Sequence, residues 1–213
     1  MKTKIINLVG ASGTGKTYIA KKLSKLDNVN VIQSYTTRPP REEGEWGHMF
    51  IEKYTVHEVQ RKDRVIVNDI THSILHRDSD MIAYFNSYNS GHHYFATDEQ
   101  VVRGKTNIYV IDPKGAEQVH KFYKGTDVEV LTIGIYENED KLSRNLEKRE
   151  NLDLKDIILE DKYGWEKSDK YKEYQEKVSG RINKDKELFK VIKCDYMIKG
   201  SDNALEFIKE MIK

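Results

Sequence analysis

The stretch Gly10-Ala11-Ser12-Gly13-Thr14-Gly15-Lys16-Thr17 reads G-x-x-x-x-G-K-T and constrains the chain more than any other part of it. Its glycines let successive backbone N–H groups turn inward around a polyphosphate, and a helix that follows aims the positive end of its dipole at the same place. In such a phosphate-binding loop the lysine, here Lys16, reaches the outer phosphates, and the Thr17 hydroxyl is placed to ligate Mg²⁺. The flanks fit. Ile5-Ile6-Asn7-Leu8-Val9 is short, apolar and β-branched, as a buried parallel strand should be, and Ile19, Leu23 and Leu26 follow at helical spacing. A glycine-rich turn with no ligand leaves that order of strand, loop and helix unexplained.

Composition limits the partners. With 36 Lys and Arg against 35 Asp and Glu, the net charge of +1 gives no field of one sign to attract nucleic acid or a membrane surface. An anionic ligand must therefore be gripped by a local cluster of basic residues. The single cysteine, Cys194, excludes an internal disulfide and a thiolate zinc site, and is expected as filler beside the last strand. Met1-Lys2-Thr3-Lys4 runs straight into a strand with no signal-peptide apolar region, and no apolar run reaches the about 18 residues of a membrane span. The expectation is a soluble, cytoplasmic protein, monomer or homodimer. Its 213 residues can bury a real core in one or two domains.

Val29-Asn30-Val31-Ile32-Gln33 reads as a second strand. It empties into a loop from Ser34 to Phe50 that is rich in Pro, Gly and small hydroxyl residues. There Arg38 and Arg41 flank Pro39-Pro40, a stiffened clamp suited to bidentate grip of phosphate, or else a solvated basic turn paired with Glu42 and Glu43. Tyr54 to Arg64 reads as a surface helix, and Val65 to Ile70 and Met81 to Phe85 as short strands. Asn107 to Ile111 is the next strand, with Asp112 at its carboxyl end. That position suits a Mg²⁺-organising carboxylate and equally a helix N-cap ahead of Pro113. Val128 to Tyr136 is a further core strand. From Glu137 to Lys184 the sequence is almost wholly charged and polar, so the segment is expected to lie outside any core, as a surface helical pair or a flap.

The loop G-x-S-G-T-G-K-T followed by Ser34-Tyr35-Thr36-Thr37-Arg38-Pro39-Pro40-Arg41 resembles the guanylate kinase family. His92-His93-Tyr94-Phe95-Ala96-Thr97 is similar to that family's Y-Y-G-[ST] strand, and Ile111-Asp112-Pro113-Lys114-Gly115-Ala116 to its I-D-x-Q-G-A turn. Cys194 to Ile198 and Asn203 to Ile208 resemble its closing strand and helix. The resemblance implies an α/β fold, a parallel P-loop sheet flanked by helices. Within it, residues 1–213 form a single unit, with a small monophosphate-binding insertion over 33–97 and a helical lid over 137–184. The core is then drawn from 1–32, 98–136 and 185–213.

What the resemblance implies chemically is transfer of the ATP γ-phosphoryl, with Mg²⁺, to GMP or dGMP. Gly10, Ala11, Ser12, Gly13, Thr14, Gly15, Lys16 and Thr17 would hold ATP, and Thr17 and Asp112 the metal. Arg38 and Arg41 would hold the acceptor phosphate, and Ser34, His48, Tyr94 and Thr97 would frame the acceptor. In the lid, the family pattern R-x-x-x-R finds Arg149, with Arg144 or Asn145 at the earlier position, and K-R-[LI] falls on Gly180-Arg181-Ile182. Arg149 and Arg181 would then neutralise charge on the moving group.

The base-reading positions depart from the family. Its carboxylate in F-[IV]-E-x-A falls near Ala83, its second acid is Val110, and its phosphate-binding tyrosine is His48. Asp78 or Asp80 would substitute only in a shifted strand register. A guanylate-kinase-like enzyme for another nucleoside monophosphate or for ribose 1,5-bisphosphate is thus an alternative. So is a non-catalytic binding domain, against which Lys16 and Thr17 argue. The histidines suggest no metal: His92 and His93 face opposite sides of a strand, and His72 with His76 share a face only in a helix.

Overall fold

In a computed structural model, the opening apolar run is strand β1 (Lys4–Gly10), with Ile5, Ile6, Leu8 and Val9 fully buried. Burial on both faces is what a continuous apolar run requires, and it is met in the middle of a sheet. Described are residues 2–51, 54–59, 63–68, 73–77, 80–86, 91–152, 154–160, 166, 168–189 and 193–213. His72, Asp78 and Trp165 lie outside them.

β1 belongs to a five-stranded sheet of order β12-β11-β1-β10-β2, formed with β2 (Val29–Ile32), β10 (Thr106–Val110), β11 (Glu129–Tyr136) and β12 (Tyr196–Lys199). β10 runs parallel to β2 and β11 parallel to β12, and helices flank the sheet. The fold is therefore α/β, as the alternation of strand and helix in the sequence implies. Among the described residues no helix is long and apolar enough to cross a membrane. The chain divides into two compact units: Met1–Asn7 with Ser24–Leu131, and Leu8–Leu23 with Thr132–Lys213.

In the first unit, Ile5, Ile32, Ile82, Ala96, Tyr109 and Val119 centre one apolar core. Helix α2 (Pro113–Phe122) covers part of it with Ala116 and Val119, and starts where Asp112 accepts from the Lys114 and Gly115 amides at 2.9 and 3.1 Å. Proline at the first helical position needs no such partner, so cap and proline together set the helix start. A second sheet has the order β4-β3-β9-β8, from β3 (Ser34–Thr36), β4 (His48–Phe50), β8 (Met81–Asn86) and β9 (His93–Thr97). Tyr35 stacks on Phe95 at 5.0 Å over Ile51, Ile66 and Met81.

The expected surface helix over Tyr54 to Arg64 is not formed. The chain there makes β5 (Tyr54–Val59) and enters β6 (Asp63–Asn68), which with β7 (Ser73–Arg77) builds a three-stranded antiparallel meander. Thr55, Val56 and Val59 are β-branched and pair with Val67, Ile66 and Asp63. Branched side chains lose rotamer freedom in a helix and pack well across strands, and the partner strand supplies the ladder that local periodicity does not reveal.

In the second unit, helix α1 (Lys16–Leu23) buries Ile19, Ala20 and Leu23 and packs on α7 (Ser201–Met211), which buries Ala204, Leu205 and Ile208. Leu26 falls beyond the end of α1. The polar segment after β11 forms α3 (Glu139–Glu150), α4 (Leu154–Glu160), α5 (Asp169–Tyr174), a π-turn (Gln175–Ser179) and α6 (Gly180–Phe189). Contrary to expectation it owns a core: Leu142, Leu146, Ile157, Tyr174, Val178 and Ile182 pack together, with Leu146 and Val178 fully buried. Spacings of four, 142 to 146 and 174 to 178 to 182, put these few apolar groups on single helix faces, so a mean composition that is polar still yields a buried stripe.

Candidate active site

The loop between β1 and α1 is closed on itself. Lys16 Nζ donates to the carbonyl oxygens of Gly10 at 2.6 Å and Ala11 at 2.9 Å, and Thr14 Oγ1 donates to Ala11 O at 2.9 Å. Gly15 has φ +89°, the left-handed region that side chains disfavour, and a Cβ there would stand 2.8 Å from Ser201 Cβ. At Gly10 a Cβ would run into the backbone carbonyl of Ile135. Burial pushes the Lys16 ammonium down to about 8; the Asp185 charge opposes the fall and the Arg149 charge adds to it. Thr17 lies exposed on the first turn of α1.

Two groups from the polar helices reach this loop. Ser12 N–H donates to Asp185 Oδ2 of α6 at 2.5 Å, and Asn145 Nδ2 of α3 donates to Gly13 O at 2.7 Å. Of the two candidates for the earlier lid position it is Asn145, and not the exposed Arg144, that meets the loop. Arg149 and Arg181 are brought together by one carboxylate: Glu150 Oε1 accepts from Arg149 Nε at 3.0 Å and from Arg181 Nη1 at 3.1 Å. Within the second unit, Asn145 and Asp185 thus contact the loop, the Arg149 charge acts on Lys16, and Glu150 ties Arg149 to Arg181.

The first unit holds a separate cluster on the Ser34 to Phe50 segment. Arg38 forms a two-pronged pair with Glu45, Nη1 to Oε2 at 3.0 Å and Nη2 to Oε1 at 2.8 Å, and its guanidinium lies 5.3 Å from the Phe50 ring centre. Arg41 N–H also donates to Glu45 Oε2 at 2.7 Å, while its side chain is 55% exposed and 3.8 Å from the same acid. Among the described residues the acid that both arginines meet is therefore Glu45, and not Glu42 or Glu43. The Arg38 hydrogen bonds hold the Glu45 carboxyl down at about 2. His48 lies 5.9 Å from Tyr94 ring to ring; burial first, then the Arg38 charge, lower its pKa. Arg38, Arg41, His48 and Tyr94 thus come together. Ser34 and Thr97 are buried: the Ser34 hydroxyl bonds the Tyr109 hydroxyl at 3.0 Å, and the Thr97 amide donates to Gln100 Oε1 at 3.2 Å.

Asp112 Oδ1 is engaged as the cap of α2. Ala83 is buried in β8 and Val110 ends β10, so both base-reading positions of the resembled family are aliphatic. Asp80 is exposed. Among the described residues no group of three or more His, Cys, Asp and Glu could hold a metal ion. Glu45, Glu150, Asp185 and the loop contact of Asn145 went unread in the sequence. The local signals were an acid four residues after Arg41 and an acid next to Arg149; the Glu150 contact with Arg181 and the contacts of Asp185 and Asn145 act across long separations.

Fold and site together define an α/β protein whose G-x-x-x-x-G-K-T loop joins its first strand and helix and is met by Asn145 and Asp185. The chain is similar to guanylate kinase of Clostridium tetani (strain Massachusetts / E88), 28% identical over 198 residues that cover 87% of this chain and 88% of the relative. No protein-family model matches it. Among solved structures it aligns with an uncharacterized protein from Eubacterium ventriosum ATCC 27560, at TM-score 0.43 and 12% identity, covering 99% of this chain and 98% of that one. The curated similarity supports a nucleotide-kinase-like relationship.

Proposed function

We propose that the protein is a nucleoside monophosphate kinase that transfers the γ-phosphoryl of ATP to GMP or dGMP. The observation that carries this reading is the G-x-x-x-x-G-K-T loop with Lys16 drawn onto Gly10 and Ala11 and the Arg149 charge acting on it, Arg149 being joined to Arg181 through Glu150. In the reading, the amides of Ala11 to Thr17 and the Lys16 ammonium hold the donor phosphates. Arg38 and Arg41 hold the acceptor phosphate beside His48 and Tyr94, with Ser34 and Thr97 shaping the pocket from the core. Arg149 and Arg181 leave Glu150 to meet charge on the transferring group. A phosphate acceptor is already ionised, so no general base is needed, and positioning with charge stabilisation accounts for the rate.

The exposed Thr17 hydroxyl is a hard oxygen ligand of the kind Mg²⁺ takes in company with substrate phosphates, and Asp112 is the second oxygen donor in this reading. Mg²⁺ would supply neutralisation of phosphate charge. A second reading keeps the phosphate chemistry and changes the acceptor to another nucleoside monophosphate or ribose 1,5-bisphosphate; the aliphatic Ala83 and Val110 favour it. The test is kcat/KM for GMP, dGMP, AMP, dTMP and ribose 1,5-bisphosphate in one assay with Mg·ATP. GMP or dGMP should lead, with discrimination reduced because each missing buried hydrogen-bond partner forfeits about 1–3 kcal/mol. Preference for ribose bisphosphate selects the second reading, and inertness of every acceptor defeats both.

The clamp gives a sharper expectation. Arg41→Ala should raise the acceptor KM while leaving ATP affinity within a few fold, and because its side chain is mostly exposed, stability should move by less than about 0.5 kcal/mol. Equal damage to ATP binding in calorimetry would assign the loop to the donor.

The low Lys16 pKa also predicts a pH profile. In the free enzyme kcat/KM for ATP should fall as pH rises through about 8, where the ammonium loses its proton. Bound phosphates restore the charge, so kcat should stay level to higher pH. The linked effect on stability has the opposite sense. The unfolded lysine keeps its proton up to about 10.5 and the folded one releases it near 8, so folding gains stability across that window. A level kcat/KM through the whole window would contradict the assignment.

A further inference from the structure

The Asp185 carboxylate stands on a backbone amide of the phosphate loop. Its hydrogen bond from Ser12 N–H, at 2.5 Å, joins residues 173 apart in sequence and is the one Asp185 makes among the described residues. Inward-turned amides of such a loop bind phosphate oxygens, and a carboxylate offers the same charge and acceptor geometry. We infer that Asp185 is the resident anion of the phosphate loop: it competes with the donor's phosphates for Ser12, and so sets donor affinity and couples donor entry to movement of α6. The inference rests on the phosphate-binding reading of the loop.

Three observations support it. First, carbonyl oxygens of the loop are met by Lys16, on Gly10 and Ala11, and by Asn145 of α3, on Gly13, while Asp185 supplies the acceptor for the Ser12 amide. Second, Asp185 lies four residues after Arg181 on α6, so the two share a helix face. Arg181 is meanwhile held by Glu150, which also holds Arg149. Both acids thus rest on groups that a polyphosphate would claim. Third, Asp185 acts on Lys16, its charge opposing the deprotonation that burial favours. An arriving polyphosphate would take over that role and repel the carboxylate from the same ground.

The experiment uses the full chain, the isosteric Asp185→Asn, Asp185→Ala, and Asn183→Ala on the exposed side of α6 as control. Inorganic triphosphate and ADP are titrated calorimetrically at fixed salt, and hydrogen exchange of the Ser12 amide is followed by NMR without ligand. Removing the competing anion should tighten triphosphate and ADP about tenfold in Asp185→Ala, less in Asp185→Asn, and leave Asn183→Ala unchanged. Ser12 exchange should quicken about tenfold in Asp185→Ala. Measurable binding with affinity unchanged or weakened in both Asp185 variants overturns the competition. Unchanged Ser12 exchange overturns the contact itself. If no protein binds triphosphate or ADP while exchange behaves as expected, the phosphate-binding reading fails and the competition with it, and the contact alone stands. Should Asp185→Ala fail to fold, Asp185→Asn decides by the same two measurements.

Discussion

Replacing Lys16 with alanine is expected to slow phosphoryl transfer by about 10²–10³, a loss of about 3–4 kcal/mol of transition-state stabilisation. The reason is the electrostatic setting: the ammonium sits on two carbonyl oxygens in a shielded loop, where its charge acts at greater strength than in water. Stability should hold or rise slightly. Burial depresses the Lys16 pKa, which means the folded protein disfavours the charge that the mutation removes. Steady-state rates with Mg·ATP and the best acceptor, alongside thermal denaturation, check both parts. A variant with wild-type turnover would end the proposed mechanism.

Arg38→Ala is expected to damage acceptor use and the fold of its own loop together. The Arg38 and Glu45 side chains are only 10% and 13% exposed, so removing one leaves a poorly solvated charge behind, at a cost of about 3 kcal/mol. Arg38→Ala should therefore be less stable in urea than Arg41→Ala, although both lose acceptor affinity. Acid sensitivity gives a second readout. Glu45 titrates near 2 in the folded protein against 4.5 in its absence, so its contribution is complete above 4.5 and is lost as pH falls through 2. In Arg38→Ala that dependence should largely vanish. Adding Glu45→Ala to Arg38→Ala should recover part of the lost stability, since it removes the stranded acid; strictly additive losses would show that the pair is not coupled.

What was legible in the sequence was local. The strand Ile5 to Val9, the loop Gly10 to Thr17 and the start of helix α1 are contiguous, and each is set by short-range chemistry: apolar β-branched residues, glycines at tight approaches and a helical apolar spacing. Asp112 illustrates the same reach, because a cap, a proline and a helix start all lie within a few residues. The α/β class followed from the alternation of such pieces. Of the three antiparallel strands, the sequence offered the middle one in part, as Val65 to Ile70, but not β5, since a strand's ladder is supplied by a partner elsewhere in the chain and Thr55 to Val59 shows no period that excludes a helix.

The candidate site divides the same way. Lys16 could be named from its motif, and Arg38 and Arg41 from their place beside two prolines. That Glu45 holds Arg38, that Asn145 and not Arg144 meets Gly13, that Glu150 gathers Arg149 and Arg181, and that Asp185 stands on Ser12 were decided by tertiary structure alone. A charged side chain in a polar segment reads as solvated whatever it touches. Only the packing of Leu142, Leu146, Val178 and Ile182, which fixes how α3 and α6 lie against the loop, determines which of those charges come within hydrogen-bonding distance of a backbone amide.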